Sequence, residues 1–386
     1  VKRLTDRCGW IFRLDMIAAM VVLLLMSSCT TTDKGQADLA DPALPEQAAP
    51  VYSCYFGTTH GHDSFSGHNR QTKNTVIDHL DQAKTNGYQF YFITDHSQYD
   101  TFTPDSWAST LADVNRYTTD TFVAIRGFEF SENDAPGGHM NIYNTPEYIS
   151  AAAPGVNFPY MYDWMIGKQT STPVYASFNH PEATQYNNWD FLTPERRDKV
   201  TMLEVINGVG KDKSGEIVGK LHYTGFMNAL ERGWRVAPIA GLDAHVPEAI
   251  GKAEYRTGML ATSLTKDGLL DAMGHRRTFA TYDRNLCVQY TVNGKIMGSV
   301  LDNPATLNFA ITVADPDTGD ENDKITKIEI IGDRGAVAAS QAFDEHSVTW
   351  NTSLNAQYRY YFLKIYTAGK KDGATAYAAP VWTNRP

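Results

Sequence analysis

The chain is poor in the features that would settle its class at once. It has four cysteines in 386 residues, which excludes a small disulfide-framed scaffold. Its apolar run Met16–Met26 is 11 residues long. A membrane-spanning helix needs about 20 such residues. Basic residues number 34 against 44 acidic ones, for a net charge of −10. That balance excludes the broad basic surface that phosphate-backbone binding requires, so no nucleic-acid partner is expected. What remains is globular in character, 42% hydrophobic and 20% charged. Length and composition together fit one large domain plus a smaller one.

The first residues read as an export signal rather than as part of the fold. Lys2, Arg3, Arg7 and Arg13 precede the apolar run, and Met26-Ser27-Ser28-Cys29 follows it. Small residues followed by Cys resemble a bacterial lipobox, with Met where Leu is more usual. The resemblance implies cleavage after residue 28 and lipidation of Cys29, giving an exported, membrane-anchored lipoprotein. Residues 29–50 lack aromatics and hydrophobic periodicity and read as a flexible tether. Without residues 1–28 the chain carries 30 basic and 42 acidic residues, net −12. Cys54 and Cys287 are then the thiols left to the fold. An exported compartment permits a disulfide between them, and two buried free thiols are the alternative.

From Val51 to about Asp283, β-rich apolar runs alternate with helical stretches, the pattern of an α/β layered or barrel fold. The strands are expected at 52–58, 89–94, 121–129, 139–143, 174–179, 201–207 and 235–242. Helices are expected at 74–86, 106–117, 216–230 and 264–273. Nearly every strand end carries a residue able to bind a metal. They are His60 and His62, Asp95 and His96, Glu129, His139, Asn179-His180-Pro181, and Asp243 with His245. In parallel barrels the strand C-termini converge on one mouth. Side chains two apart on a strand share a face, so His-x-His and Asp-x-His pairs can reach one site. Arg126, three before Glu129, should face away from it.

These motifs resemble the PHP (polymerase and histidinol phosphatase) superfamily of metal-dependent phosphoesterases. The ordered set is His60-x-His62 with His68 following, Thr94-Asp95-His96, Glu129, His139, Asn179-His180-Pro181 and Asp243-x-His245. The resemblance implies a distorted (β/α)7 barrel over residues 51–283 and two or three divalent ions (Zn, Mn or Fe). It implies that His60, His62, Glu129 and Asp243 hold the first ion. Glu129 would bridge to the second, completed by His139 and His180, while His68, His96 and His245 hold the third. Asp95 would orient a ligand imidazole, and Arg70, close after His68, reads either as a solvated surface residue or as a group reaching a substrate phosphate. The implied reaction is hydrolysis of a small-molecule ester or phosphoester by a hydroxide held between the metals, without a Ser or Cys nucleophile. The rival amidohydrolase barrel also begins with His-x-His, but it usually adds a carboxylated Lys, and no Lys falls at the candidate strand ends. His79, His222, His275 and His346 fall outside the pattern and read as ordinary polar residues.

After Asp283 the pattern changes to short β-runs at 286–292, 306–313, 325–331, 347–350, 359–366 and 375–382. Asn293-Gly294 is a hairpin signal. Residues 284–386 thus read as a small antiparallel β-sandwich. A barrel, a sandwich and a lipoprotein signal together resemble the carbaryl-esterase-like branch of PHP lipoproteins. That branch keeps carbamate or carboxyl ester hydrolysis open beside phosphoester hydrolysis. A catalytically silent metal-binding or sensing lipoprotein is the non-enzyme reading. The aromatic stretch between His139 and His180 could wall the pocket or fill the core. Asp315, Asp317, Asp320, Glu321 and Asp323 crowd one loop, read as a solvated turn or a calcium site.

Overall fold

The computed structural model describes residues 50–67, 74–132, 137–168, 173–211 and 217–385. The signal, most of the tether with Cys29, and both His68 and Arg70 lie outside them. No helix among the described residues is long and apolar enough to cross a membrane.

The first part of the fold is a ring of strands. Its members are β1 (Ser53–Thr58), β2 (Phe90–Ile93), β3 (Val123–Glu132), β4 (Gly138–Tyr143), β5 (Tyr175–Asn179) and β6 (Val200–Lys211). β7 (Ile217–Leu221) turns back on β6 from outside the ring, and β8 (Ala237–Gly241) pairs with β6 in parallel. Beyond β8 the chain returns to the end of β1. There the Asp243 N–H donates to His60 O at 3.0 Å and the His62 N–H to Ala244 O at 2.9 Å, around a parallel Gly61–Ala244 bridge. The ring is distorted for two reasons. β4 runs antiparallel to both its neighbours. The lower part of β1 pairs antiparallel with β9 (Arg256–Ala261), which pairs in turn with β10 (Thr278–Thr281). The seven expected ring strands are all present.

Strands buried on both faces read as continuous apolar runs, and Phe90–Ile93 is buried throughout. Helices cover the outside. Val76–Thr85 and Pro104–Tyr117 each begin with a capping box, Thr75 with Asp78 and Thr103 with Ser106. Below the mouth, Phe90, Phe92, Val123, Ile125, Tyr143, Met202 and Ile239 form one cluster with Leu269, Leu270 and Met273 of the helix Lys266–Gly274. The expected helix at 216–230 is shorter. Its first half is β7, whose Ile217 and Val218 favour a strand, and the helix is Tyr223–Glu231.

The C-terminal part adds β11 (Cys287–Val292), β12 (Lys295–Ile296), β13 (Thr306–Ala314), β14 (Ile325–Ile331), β15 (Val337–Glu345), β16 (Ser347–Asn355), β17 (Tyr360–Thr367), β18 (Ala376–Ala378) and β19 (Val381–Trp382). One sheet runs β12-β11-β13-β16. The other runs β15-β14-β17-β18 and continues through β18 onto β10. The second sandwich layer is therefore an extension of the barrel sheet. β13 alternates buried and exposed residues along its length. Its Leu307, Phe309, Ile311 and Val313 meet Ile328, Ile330, Leu363 and Ile365 of the facing sheet in one core. A disulfide joins Cys54 of β1 to Cys287 of β11, with Cα atoms 5.9 Å apart.

Candidate metal centre

The period-2 rule that packs the barrel interior also builds the mouth. Phe90 and Phe92 line the interior of β2, and two and four residues beyond come Thr94 and His96. Val123 and Ile125 do so on β3, which continues to Glu129. Met202 on β6 leads to Glu204, and Ile239 on β8 leads past Gly241 to Asp243. Apolar side chains thus give way to ligating ones at the strand ends. Arg126 points the other way, stacking 3.5 Å from the Trp107 ring and donating to Trp107 O at 2.7 Å. His180 and Asp243 sit just past strand ends with φ of 31° and 52°. Such left-handed backbone is uncommon outside glycine, although Asp and His adopt it more readily than most residues, and it clusters at functional sites. Here it turns both chains over the mouth.

The tightest group is His60, His62, Glu129 and Asp243. The Nε2 atoms of His60 and His62 are 2.9 Å apart. Glu129 Oε2 is 3.5 and 3.3 Å from them, and Asp243 Oδ1 is 3.5 and 3.1 Å away. A second group shares Glu129, whose Oε1 is 3.2 Å from His139 Nδ1 and 3.6 Å from His180 Nε2. A third shares His62, whose ring centroid lies 4.5 Å from His96 and 4.3 Å from His245. Each of the sets His60–His62–Glu129, Glu129–His139–His180 and His62–His96–His245 keeps its ligand atoms within 4.8 Å of one another. They open into a cavity of about 750 Å3 also lined by Glu182, Asn207, Lys220 and His222.

The hydrogen bonds around the first pair decide what can sit between its rings. His60 Nδ1 faces Glu204 Oε1 at 2.7 Å, and a carboxylate only accepts, so this nitrogen carries a proton. Ser66 Oγ donates to Asp95 Oδ1 at 2.7 Å, which leaves it to accept from His62 Nδ1 at 2.8 Å and from the His96 N–H at 3.1 Å. With both rings neutral, their bare Nε2 lone pairs face each other. Glu129 Oε2, beside them, is buried and makes no hydrogen bond, although His96 Nδ1 approaches it to 2.8 Å. Two imidazole nitrogens and two carboxylate oxygens, each oxygen within 3.5 Å of both nitrogens, fit a shared cation. In its place a second proton on His60 would relieve the conflict. Burial opposes that proton, but the charges of Glu204, Asp243 and Glu129 outweigh burial and hold the His60 pKa well above its ordinary value. Burial, then the neighbouring His245 and His96, push His62 well below. For Glu129 burial works upward, yet His96, His60 and His139 hold it well below the usual carboxylate range. Asp243 is lowered against its burial by His60 and His62. Burial pushes Asp95 up to about 6.

The structure brings together His60, His62, His96, Glu129, His139, His180, Asp243 and His245, and places Asp95 behind His62 through Ser66. In this geometry His62 belongs to two groups, a sharing that the sequence alone did not suggest. Glu204 was not expected. Its Oε1 holds His60, and its Oε2 accepts from the His180 N–H at 2.8 Å and from Asn207 Nδ2 at 2.7 Å. A Cβ at Gly241 would collide with this carboxylate, so a glycine there makes its room. The signal was available as a lone acid in the apolar run Met202-Leu203-Glu204-Val205-Ile206. Asn179 was expected only as part of a motif. Its Nδ2 donates to Glu129 Oε1 at 2.9 Å and so aims the shared carboxylate. Tyr186 Oη reaches His139 O at 2.7 Å and Asn179 O at 2.9 Å from a turn in which residues 186–189 all have positive φ. His222, read as an ordinary histidine, stands on the cavity wall. His79 is a satisfied core residue between Tyr91 Oη and Asn74 Oδ1. Of the aromatics between His139 and His180, Tyr143, Phe158 and Tyr162 are buried in the core, Tyr148 and Trp164 pack against it, and Tyr160 is exposed. Phe158 and Tyr162 pack with Phe130, Phe191 and Trp234, and neither lines the cavity.

No family model matches this chain, and no curated protein matches it. Among solved structures it is similar to a two-domain protein from Bacteroides vulgatus containing a predicted PHP-like metal-dependent phosphoesterase. The identity is 15% over 88% of this chain and 99% of that chain, with a TM-score of 0.48. A likeness of that size leaves the chemistry to be decided by the side chains themselves.

Proposed function

We propose that this chain is a metal-dependent hydrolase of ester bonds, with phosphoesters as its substrate class and two or three divalent ions (Zn, Mn or Fe) in the barrel mouth. The observation that carries the reading is the convergence of four potential ligand atoms, with His60 Nε2 and His62 Nε2 2.9 Å apart and Glu129 Oε2 and Asp243 Oδ1 each within 3.5 Å of both. Mixed imidazole and carboxylate donors suit such ions. When bound, clustered divalent ions supply an acidic water near neutral pH and neutralise charge on the oxygens of a displacement. The chain's own residues prepare this. Glu204 and Ser66 fix which nitrogen of His60 and His62 is bare. Asn179 aims Glu129 at both groups. His222, held below its ordinary pKa by burial, is a neutral proton acceptor on the cavity wall at pH 7. Positive ions in a mouth of this kind favour a substrate with an anionic reacting centre. A carbamate or carboxyl ester is the second reading. Lys220, which lines the cavity, is already paired with Glu182 at 2.6 Å, so a neutral ester meets no unmatched charge there. The Cys54–Cys287 disulfide supports an oxidising compartment and with it export and anchoring through a lipidated Cys29.

The test is metal content of the purified chain together with hydrolysis of an aryl phosphodiester, an aryl phosphomonoester, an aryl acetate and an aryl carbamate. The expected result is stoichiometric metal and phosphoester turnover that Glu129→Gln abolishes. Turnover of the acetate or carbamate alone selects the second reading. Bound metal with no turnover of any substrate selects a binding or sensing protein. A chain that takes up no Zn, Mn or Fe refutes the proposal.

A further inference from the structure

A second group of acids lies away from the barrel mouth, where the chain leaves the barrel for the C-terminal sheets. Asp283 follows β10, Asp315 follows β13, and Asp323 ends the short turn Glu321–Asp323 before β14. One carboxylate oxygen from each lies within 4.8 Å of the others. Acids crowd together on many surfaces, so proximity alone means little. Two further observations set this group apart.

The first is burial without a partner. Asp315 is 2% exposed. Its Oδ1 accepts the Asp317 N–H at 2.9 Å, but its Oδ2 is buried and has no hydrogen bond. The nearby Asn285 Oδ1 is also buried and unbonded, while Asn285 Nδ2 donates to Asp317 Oδ2 at 3.0 Å. A buried carboxyl oxygen with no donor is expensive and rare, and burial pushes the Asp315 pKa up to about 7. The second is that, among the described residues, no cation pairs with the three acids, although Lys252 and Lys370 line the cleft beside them, Lys370 over the Tyr282 ring at 3.9 Å. The cations close by in sequence are engaged elsewhere, Arg284 with Glu254 and Lys324 with Glu321. Asp283 Oδ1 takes the N–H groups of Asn285 and Leu286 at 2.7 and 2.8 Å, which anchors the carboxylate.

We propose that Asp283, Asp315 and Asp323 form a separate, oxygen-only cation site that takes Ca2+ and ties the segment leaving the barrel to the β13–β14 loop. The donors are hard oxygens with no imidazole in the set, unlike the mouth. They sit beside a cleft of about 500 Å3 that Asp317, Asp320 and Asn322 also line. Such a site has room for the six to eight oxygens that Ca2+ takes, some of them from water, rather than the tight octahedron of Mg2+. The ion would neutralise the buried acids and cross-link two segments far apart in sequence.

The experiment uses the full chain with its barrel-mouth metals already loaded. Terbium luminescence, sensitised by the neighbouring Tyr282, reports occupancy, and Ca2+ competes for it. One equivalent of terbium displaced by Ca2+ is expected, along with a rise in Tm of about 2 °C at about 5 mM Ca2+, an affinity typical of extracellular calcium modules. Both effects should vanish in Asp323→Asn and in Asp283→Asn, and persist in His60→Ala. Asp315→Asn, if it folds, should melt no lower than wild type in chelator, because it removes the unbalanced buried charge. No Ca2+ response in the wild type overturns the proposal. So does a response that survives both Asp323→Asn and Asp283→Asn.

Discussion

Glu204→Gln is the sharpest probe of how the barrel mouth is prepared. The carboxylate accepts three hydrogen bonds, from His60 Nδ1 at 2.7 Å, the His180 N–H at 2.8 Å and Asn207 Nδ2 at 2.7 Å. An amide of the same shape has one accepting oxygen and one donating nitrogen. If its oxygen serves His60, its NH2 faces the two donors of His180 and Asn207. If it flips, His60 Nδ1 loses its acceptor, and the ring can move its proton to Nε2 and cover the lone pair that a metal needs. Each buried group left unmatched costs about 1–3 kcal/mol. Loss of a carboxylate behind a ligating imidazole lowers metal affinity about 10–100-fold. The expected outcome is therefore a drop of that size in Zn2+ affinity, measured by competition with a chromophoric chelator, with the circular dichroism spectrum unchanged. Affinity within about twofold of wild type, in a protein that melts normally, would refute the claim that Glu204 sets the state of His60. So would a lower Tm with no change in affinity, since it would make Glu204 a residue of the core alone.

Removing the disulfide by Cys54→Ala with Cys287→Ala frees a loop of sequence separation 233. Loop-closure entropy puts the loss at about 5 kcal/mol, and for a fold of this size the Tm should drop on the order of 7 °C; a melt within about 1 °C of wild type contradicts the entropic account. His79 gives a pH signature. Burial lowers its pKa from 6.5 to about 3, so between those values the unfolded chain binds a proton that the folded one refuses. Stability is full above pH 6.5 and falls as pH drops, by about 1.4 kcal/mol per pH unit from this group. His79→Gln keeps polar contacts to Tyr91 and Asn74 while removing the titration. Urea denaturation between pH 6 and 4 should show a shallower decline in the variant, and parallel curves would mean that His79 protonates in the folded state.

The strands of the ring were legible because each is a run of apolar residues ending in a turn, and because period-2 geometry carries a side-chain direction from the core to the strand end. Glu129 could be placed from Phe128 and Ile125, and Arg126 could be turned outward, by the same parity. Glu204 escaped although its parity with Met202 and its place as a lone acid in an apolar run were readable, because its role depends on Gly241, 37 positions later, leaving it room. Ser66 escaped because a serine in a short 3-10 turn acts here only through its contacts with Asp95 and His62. The left-handed turn at residues 186–189 is set by tertiary contacts. Tyr186 is pulled into the core, where its hydroxyl reaches His139 and Asn179. The exposed β15 escaped because its sequence, Val337–Glu345, alternates weakly and buries little. The continuity of the second sandwich layer with the barrel sheet was invisible for a different reason. It rests on β10 pairing with β18, about a hundred residues apart, and strand propensity says nothing about partners.

The position of the charged groups relative to the apolar ones also bears on why the barrel is distorted. In the ring, Glu129 and Glu204 are fully buried, as are His60 and His62. Buried carboxylates are tolerable only where hydrogen bonds and counter-charge meet them. A regular, fully parallel ring would project strand ends at similar heights and offer Glu129 a single ring of neighbours. Reversing β4 instead brings the start of a strand to the mouth. Its residue His139 then arrives beside Glu129 Oε1, while Asn141, two along, donates its backbone N–H to Asn179 Oδ1 at 3.2 Å. Asn179 passes the constraint on by donating to the same Glu129 oxygen. One reversed strand thus supplies an imidazole able to bind a metal and the support for the amide that aims the shared carboxylate. The departure from a regular barrel is what lets one glutamate face two groups of imidazoles at once.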